Sequence, residues 1–132
     1  MLDTLVLFAM IFCHITDDFY LQGIMKDMKQ KDWWRKQTTD KKYNWDYLVV
    51  LLLHGFSWTF MIHLPVAVYG LYVGTLTDIA THLFLILFTL NWLIHVIIDD
   101  TKANAKKINL VIDQSVHVIQ VVLTWLIYIS IL

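Results

Sequence analysis

The sequence predicts an all-α membrane protein with four transmembrane helices arranged as an up-down bundle. Hydrophobic residues make up 58% of the 132-residue chain and charged residues 16%, a balance too apolar for an ordinary soluble domain of this size. The apolar residues are concentrated in stretches of about 20 residues, the length that an α-helix needs to cross a bilayer. The chain forms a single membrane domain, and its predicted helices cover about 2–22, 46–64, 77–98 and 110–132.

The first predicted helix is apolar from Leu2 to Cys13 and carries polar residues in its second half. It lacks the basic start and the small-residue cleavage site of a signal peptide, so we expect it to be retained. Cys13 is the only cysteine, which excludes a disulfide framework and a thiolate metal site within the chain. His14, Asp18 and Gln22 follow at steps of four residues and therefore lie on one face of the helix.

The pairing of a histidine with an aspartate one helical turn away occurs three times in the sequence. After the pair in the first helix, it returns as His95 and Asp99 in the third helix and, in reverse order, as Asp113 and His117 in the fourth. An ionisable side chain inside a membrane costs roughly 2.5–3.5 kcal/mol on insertion scales. We therefore expect all three pairs to face the interior of the bundle and to share a ligand or a proton there.

The first connection, residues 23–45, is the only long polar stretch, and it mixes basic with aromatic residues. Its basic residues are Lys26, Lys29, Lys31, Arg35, Lys36, Lys41 and Lys42. Such a composition is typical of a segment lying on lipid head groups, and a solvated loop with interfacial aromatic anchors explains it equally well. Because acidic residues nearly balance basic ones, 11 against 10 in the whole chain, we predict no nucleic-acid partner.

The boundaries of the other helices follow from proline and from capping residues. Pro65 predicts the end of the second helix, and residues 66–76 are too few to cross the membrane again. We expect this segment either to lie in the opposite interface or to extend the second helix loosely. Thr75 or Thr77 is the predicted cap of the third helix, and Asn109 is the predicted cap of the fourth.

The distribution of basic residues predicts the orientation of the bundle. Seven of the ten Lys and Arg residues lie in the first connection and three in the third, at Lys102, Lys106 and Lys107, while the second connection has none. Basic residues mark cytoplasmic connections. We therefore predict that the first and third connections face the cytoplasm and that both termini lie outside.

This topology brings all three pairs, together with His54 of the second helix, to a similar depth near the cytoplasmic face. Imidazole and carboxylate groups are ligands for Zn, Mn and Fe, so the sequence predicts a centre with one or two divalent ions. A buried histidine hydrogen-bonded to an aspartate explains any single pair equally well, but the convergence of seven groups favours metal. The predicted metal ligands are His14, Asp18, His54, His95, Asp99, Asp113 and His117.

Further roles are assigned by chemistry and by position on each helix. The predicted catalytic carboxylates are Asp18, Asp99 and Asp113, and the predicted residues that support the centre or bind the substrate are Lys102, Gln22, Gln114 and Asn91. Asp17 and Asp100 are poorer candidates because neither fits the four-residue spacing of its helix. His63 and His82 are expected at the other interface as ordinary interfacial histidines.

Short motifs spread over nearly the whole chain carry a family resemblance. They are His14-x-x-x-Asp18-Phe-x-Leu-Gln22, a histidine in the second helix, His95-x-x-Ile-Asp99-x-x-Lys102 and Asp113-Gln114-x-x-His117. This pattern resembles a family of small bacterial and phage membrane proteins of unknown function (domain of unknown function 3307). More loosely, four helices with intramembrane His and Asp are similar to the inner-membrane metal-dependent hydrolase family. The resemblance implies the fold, the residue set and, through the second family, a hydrolase.

Two classes of function follow from these predictions. In the first, a metal-dependent hydrolase of the bacterial inner membrane activates water to attack a phosphoester, and Lys102 with the basic connection holds an anionic head group. A phosphorylated lipid or lipid-linked substrate suits the depth of the site. In the second, the protein is not catalytic, and the cluster is a structural metal site or a path for ions or protons. Its partner would then be another membrane protein or a second copy of the chain.

Overall fold

The structure, a computed structural model, describes residues 2–75 and 78–130, and every regular element within these residues is a helix. In chain order the α-helices are α1 (Leu2–Ile15), α2 (Met25–Met28), α3 (Lys31–Gln37), α4 (Asp46–Val73), α5 (Asp78–Ala103) and α6 (Leu110–Ile129). A π-helical stretch, Thr16–Leu21, continues α1, and a 3-10 turn, Lys41–Tyr43, precedes α4. The segments long and apolar enough to cross a membrane are Asp3–Leu21, Lys41–Val73, Ala80–Ala103 and Leu110–Ile129. The predicted all-α fold with four such helices is confirmed.

Each of the four long helices packs against two neighbours. Helix α4 lies between α1 and α5, and α6 completes the bundle by contacting both α1 and α5. The interior holds Met10, Trp58, Ile62 and Val121, which are fully buried, whereas Phe12 on the outer surface is 69% exposed. An apolar exterior of this kind is expected for helices that are surrounded by lipid.

Helices α4 and α5 approach each other closely at Gly55. A Cβ atom at this position would lie 2.6 Å from Val96 Cγ2 and 3.1 Å from Trp92 Cδ1. Small residues at helix contacts allow backbones to approach in this way. Because Gly55 follows His54 and Val96 follows His95, the contact sets the spacing of the two helices where their histidines meet.

Helix α4 is longer than predicted because it continues through Pro65. The predicted end at this residue is wrong, since the helix runs to Val73 and stops at Gly74, whose φ of 71° is left-handed. Proline removes one backbone hydrogen bond, and a helix packed in a bundle tolerates the loss. Residues 66–73 therefore extend the second helix and do not form a separate interfacial segment.

The predicted helix caps have different outcomes. Asn109 caps α6, because its Oδ1 accepts a hydrogen bond from the amide of Ile112 at 3.0 Å. The amide of Thr75 donates to the carbonyl of Gly70 at 3.1 Å, so this residue belongs to the end of α4. Thr77 lies outside the described residues.

The first connection is folded, and Asn104 fastens it to the end of α5. Asn104 Oδ1 accepts a hydrogen bond from the amide of Lys31 at 2.7 Å, and Asn104 Nδ2 donates to the carbonyl of Lys29 at 3.1 Å. Lys106 donates to Asp32 at 2.9 Å, and this hydrogen bond lowers the pKa of the exposed Asp32 carboxyl. The first and third connections therefore lie at one end of the bundle, which we call the basic end.

Candidate metal centre

The structure brings all seven predicted ligands together inside the bundle. None of them is more than 9% exposed, and the most exposed is Asp18. Helix α1 with its π-helical extension, α4, α5 and α6 each contribute at least one member. The predicted ligands that form this buried cluster are His14, Asp18, His54, His95, Asp99, Asp113 and His117.

Two overlapping groups within the cluster could hold a metal ion. The first is Asp18, His54 and His95, the second is His95, Asp99 and His117, and the ligand atoms of each lie within 4.8 Å of one another. His54 Nε2 lies 3.3 Å from His95 Nε2 and 3.3 Å from Asp18 Oδ1. A tetrahedral zinc ion with bonds of about 2.0–2.1 Å separates its ligand atoms by about 3.3 Å. The observed spacing therefore suits a divalent ion.

Asp99 extends the same spacing to the second group. Its Oδ2 atom lies 3.4 Å from His54 Nε2 and 3.8 Å from His95 Nε2, and its Oδ1 atom lies 3.5 Å from His117 Nε2. The two carboxylate oxygens thus face different histidines. Asp99 is therefore positioned to bridge the two groups, and His95 belongs to both.

A hydrogen-bonded chain orients His117 toward this centre. Gln120 Nε2 donates to the carbonyl oxygen and to Oδ1 of Asn91, at 3.2 and 3.1 Å, and Asn91 Nδ2 donates to Thr124 Oγ1 at 2.7 Å. Gln120 Oε1 therefore faces His117 Nδ1, at 3.2 Å, and accepts a hydrogen bond from its N–H group. The lone pair of His117 Nε2 then points toward Asp99. A histidine with its proton on Nδ1 and a free lone pair on Nε2 is the form that binds a metal.

Asp17 lies behind His54, at a distance longer than a hydrogen bond. His54 Nδ1 lies 3.6 Å from Asp17 Oδ2, while Asp17 Oδ1 accepts a hydrogen bond from Ser57 Oγ at 2.6 Å. A carboxylate behind a ligating histidine favours the proton on the nitrogen that faces it. His54 Nε2 is thereby left to face Asp18 and the other histidines.

Asp17 was not predicted as part of the centre, and the π-helical stretch explains why. The prediction assumed α-helical spacing, which turns Asp17 away from the face of Asp18. In a π-helix each hydrogen bond spans five residues, so the phase of the helix shifts. Asp17 is only 1% exposed as a result, and it lies inside the bundle beside Asp18.

His14 and Asp113 lie in the cluster but outside the two groups. Trp58 Nε1 donates a hydrogen bond to His14 Nδ1 at 2.8 Å, and Trp58 stacks on His95 with ring centroids 4.3 Å apart. Because Nδ1 accepts this hydrogen bond, the neutral imidazole of His14 carries its proton on Nε2. Asp113 Oδ1 lies 3.5 Å from His117 Nε2, and Asp113 Oδ2 is paired with Lys102.

Three of the four predicted supporting residues contact carboxylates of the cluster, whereas Asn91 contacts Gln120 and Thr124. Lys102 Nζ lies 2.5 Å from Asp113 Oδ2. Gln114 Nε2 donates to Asp18 Oδ2 at 2.9 Å and to Asp113 Oδ2 at 3.1 Å. Gln22 Nε2 donates to Asp18 Oδ1 at 3.1 Å. These three side chains therefore satisfy the oxygens of Asp18 and Asp113 that face the basic end.

Lys29 is a member of the site that the sequence analysis did not single out. It is 8% exposed, and its Nζ lies 2.5 Å from Asp99 Oδ2. Seven basic residues crowd the first connection, and no local pattern distinguishes this one. Its position depends on the contact between Asn104 and the carbonyl of Lys29, which folds the connection back over the bundle.

The remaining histidines lie away from the cluster. His63 is fully buried, with Nδ1 at 2.8 Å from the carbonyl of Thr59 and its ring packed against Phe84 and Phe88. His63 is therefore a core residue of the bundle, whereas His82 is exposed. The position of both histidines toward the opposite membrane interface stays a prediction.

A cleft of about 530 Å³ opens at the basic end and reaches Asp18 and Asp99. The lysines that line it are Lys26, Lys29, Lys102 and Lys106. Buried carboxylates at the floor and ammonium groups along the walls suit a cation below and an anionic group above it. The cleft therefore connects Asp18 and Asp99 with the surface at the basic end.

Comparison with known proteins identifies no relative. No family model, curated protein or solved structure matches the chain. The resemblance to the family of small bacterial and phage membrane proteins stays a prediction. What the cluster can do follows from its own geometry and charge.

Proposed function

We propose that this chain is an integral protein of the bacterial inner membrane that binds a divalent metal ion and hydrolyses a phosphorylated lipid or lipid-linked substrate at the cytoplasmic face. One observation carries the proposal. The Nε2 atoms of His54, His95 and His117 converge on Asp18 and Asp99 at spacings of 3.3–3.8 Å, beside a cleft with lysines along its walls. The basic end is the proposed cytoplasmic end, because it carries the basic connections.

The charges of the cluster support a divalent ion. The carboxylates Asp17, Asp18, Asp99 and Asp113 are all buried, whereas, among the described residues, only Lys29 and Lys102 are paired as lysines with members of this set. Four negative and two positive groups leave a charge of minus two when the histidines are neutral. Because uncompensated buried charge costs several kcal/mol per ion, one ion of Zn, Mn or Fe would complete the balance.

A second ion is the other stoichiometry that the donor set allows. It would leave the centre with a charge of plus two, which a phosphate dianion in the cleft would neutralise. Asp99 would then be shared between the ions, as a bridging carboxylate is in two-metal phosphoesterases, whereas His95, which offers one nitrogen, would serve one of them. We propose one resident ion, with the second arriving only together with an anionic substrate.

The residues of the cleft fit phosphoester hydrolysis. A bound divalent ion would polarise the phosphoryl oxygen and activate a water molecule. Asp18 and Asp99 line the cleft, so one of them would take the proton as the water oxygen bonds to phosphorus. The ester P–O bond then breaks, and a lysine ammonium of the cleft would protonate the leaving oxygen. Asp113 lies behind Lys102 and would hold that lysine and His117 in place.

The experiment that tests this proposal measures metal and activity on the same preparation. Detergent-purified protein should contain one divalent ion per chain and release phosphate from phosphatidic acid. His95→Ala should lose both, because His95 belongs to both ligand groups, and the exposed His82→Ala should keep both. Wild-type protein that takes up none of Zn, Mn or Fe would contradict the proposal.

A path for ions or protons is a second candidate, and one observation favours it. Polar contacts continue from His117 through Gln120 and Asn91 to Thr124. Buried polar atoms without a hydrogen-bond partner among the described residues include His63 Nε2 and the hydroxyls of Thr59 and Tyr128. Proton flux in proteoliposomes that disappears in Thr124→Val would support this candidate. Vesicles that stay as proton-tight as protein-free vesicles would remove it.

A further inference from the structure

Gln114 belongs to two depressions of opposite character. On one side it lines the polar cleft at the basic end. On the other it lines an apolar groove of about 470 Å³ along the outer surface of α6, together with Val111, Ser115, Val118 and Ile119. The polar cleft and the apolar groove therefore meet at a single residue.

The groove follows one face of α6. Gln114 and Ser115 follow Val111 by three and four residues and precede Val118 by four and three, so these side chains form a continuous strip. Val111 is 72% exposed and Val118 39% exposed, and the strip starts near the basic end, where α6 begins. The amide of Gln114 reaches inward to Asp18 and Asp113. Gln114 thus separates the buried carboxylates from the lipid-facing surface.

The cleft offers cations at its rim. Lys26 and Lys106 are exposed, and the ammonium of Lys26 has no partner in the described part of the chain, whereas Lys106 is paired with Asp32. Lys29 and Lys102 are also paired, with Asp99 and Asp113, so Lys26 is the cation of the cleft that remains for a ligand. The divalent ion proposed above would add positive charge at the floor of the cleft. An anionic group is therefore the charge-complementary ligand.

We propose that the ligand of the cleft is a phosphate-bearing membrane lipid that enters sideways past Gln114. Its phosphate lies among the cleft lysines, and the first part of its acyl chain lies in the groove on α6. This proposal rests on the proposed function, because it names the substrate class and the entry route of the same site. A soluble phosphate ester would fill the cleft and leave the apolar groove unused, so the continuity at Gln114 favours the lipid.

Lipid binding by variants of the groove tests the proposal. Val118→Trp fills the groove, and Ile97→Trp places the same side chain on the exposed surface of α5, where Ile97 is 62% exposed. The probes are dioleoyl phosphatidic acid and glycerol 3-phosphate, which has no acyl chain, added to the detergent-purified protein. Val118→Trp should weaken binding of the dioleoyl lipid about tenfold, a change in free energy typical of one lost hydrophobic contact, and leave binding of glycerol 3-phosphate unchanged. Ile97→Trp should bind both as wild type does.

A change at the rim tests the phosphate site independently. Lys26→Gln should weaken binding of both ligands about fivefold, the effect of one lysine on an anionic membrane lipid. Lys36→Gln, also in the first connection and exposed, should have no effect. Ser115→Leu is a milder groove variant. It should weaken binding of dioleoyl phosphatidic acid, while the elution volume and the melting temperature of the protein stay unchanged.

Specific results would overturn the proposal. Wild-type affinity for dioleoyl phosphatidic acid in both Val118→Trp and Ser115→Leu would exclude the groove. Equal affinity for inorganic phosphate and the dioleoyl lipid would identify a soluble anion as the ligand. Metal content, measured on the same samples, separates this proposal from the hydrolase. Lipid binding that depends on the groove in a protein without metal would contradict only the proposed hydrolase activity. A metal-loaded protein whose lipid binding is unchanged by the groove variants would contradict only the proposed lipid route.

Discussion

Lys29 Nζ lies 2.5 Å from Asp99 Oδ2, and this contact joins the first connection to the buried end of α5 across 70 residues of sequence. Both side chains are almost fully buried. The ammonium occupies one oxygen of Asp99, while the other oxygen, Oδ1, lies 3.5 Å from His117 Nε2. Lys29 thus compensates Asp99 without blocking the oxygen that faces the second ligand group.

Replacing Lys29 with methionine should destabilise the protein. The variant leaves Asp99 as an uncompensated buried charge, which costs about 3–5 kcal/mol when one partner of a buried pair is removed. We expect a lower melting temperature in detergent, with part of the loss restored by a divalent ion. The exposed Lys36→Met serves as the control. Equal melting curves for Lys29→Met and wild type would show that the pair contributes nothing.

Single alanine substitutions of the predicted ligands should lower the metal content. The largest losses are expected at His54, His95 and His117, because their Nε2 atoms face the carboxylates. His14→Ala should have a smaller effect, since His14 Nδ1 is occupied by Trp58. His63→Ala should retain the metal, because His63 lies outside both groups. Elemental analysis of purified variants measures this, and a His63→Ala protein as depleted as His95→Ala would contradict it.

Gln120→Leu should weaken metal binding without removing any ligand. Gln120 Oε1 fixes the proton of His117 on Nδ1, and loss of such a supporting partner typically lowers metal affinity by about 10–100-fold. Competition with a chelator of known affinity measures the change. Gln37→Leu, a change in an exposed glutamine at the end of α3, is the matched control. Unchanged affinity in Gln120→Leu would mean that the hydrogen-bonded chain does not orient His117.

Metal retention should fall as the pH is lowered through the histidine range. A ligating imidazole must be neutral, so protons compete with the ion, and the competition becomes strong below a pH of about 6.5. Bound metal is measured after dialysis at a series of pH values. The loss should reverse when the pH is raised in the presence of the ion. A metal content that stays constant down to the carboxylate range would exclude histidine ligation.

The orientation of the bundle is tested by labelling of single cysteines. In a Cys13→Ser background, a cysteine at Lys36 should be protected from an impermeant reagent in intact bacterial cells. Cysteines placed at residues 1 and 132 should be labelled, because the basic connections are expected inside. Labelling at Lys36 in intact cells would reverse the topology, and the cleft would then face the outside.

Much of the centre could be predicted because charged residues stand out within apolar helices. The step of four residues between His95 and Asp99, and between Asp113 and His117, directed these side chains to one face of each helix. The supporting contacts of Gln22 and Gln114 followed from the same periodicity. Each of these predictions uses only local geometry, and the structure brings the residues together inside the bundle.

Other members of the site could not be predicted from local spacing. Asp17 is buried because the chain becomes π-helical after α1, a change of period that α-helical spacing does not reveal. Trp58 resembled any other apolar residue, and Gln120 was one polar residue in an apolar helix. The continuation of α4 through Pro65 depends on neighbouring helices that compensate for the missing hydrogen bond.

The sequence by itself determined the four apolar helices, the three histidine–aspartate pairs and the concentration of basic residues in two connections. These features are local, because they follow from helical periodicity and from the cost of placing charge among apolar residues. Only the tertiary structure decided that Lys29 reaches Asp99, that Asp17 lies behind His54 and that the cleft meets the groove at Gln114. Those relationships join residues distant in sequence, and their energies exist only once packing has brought the partners together and excluded water.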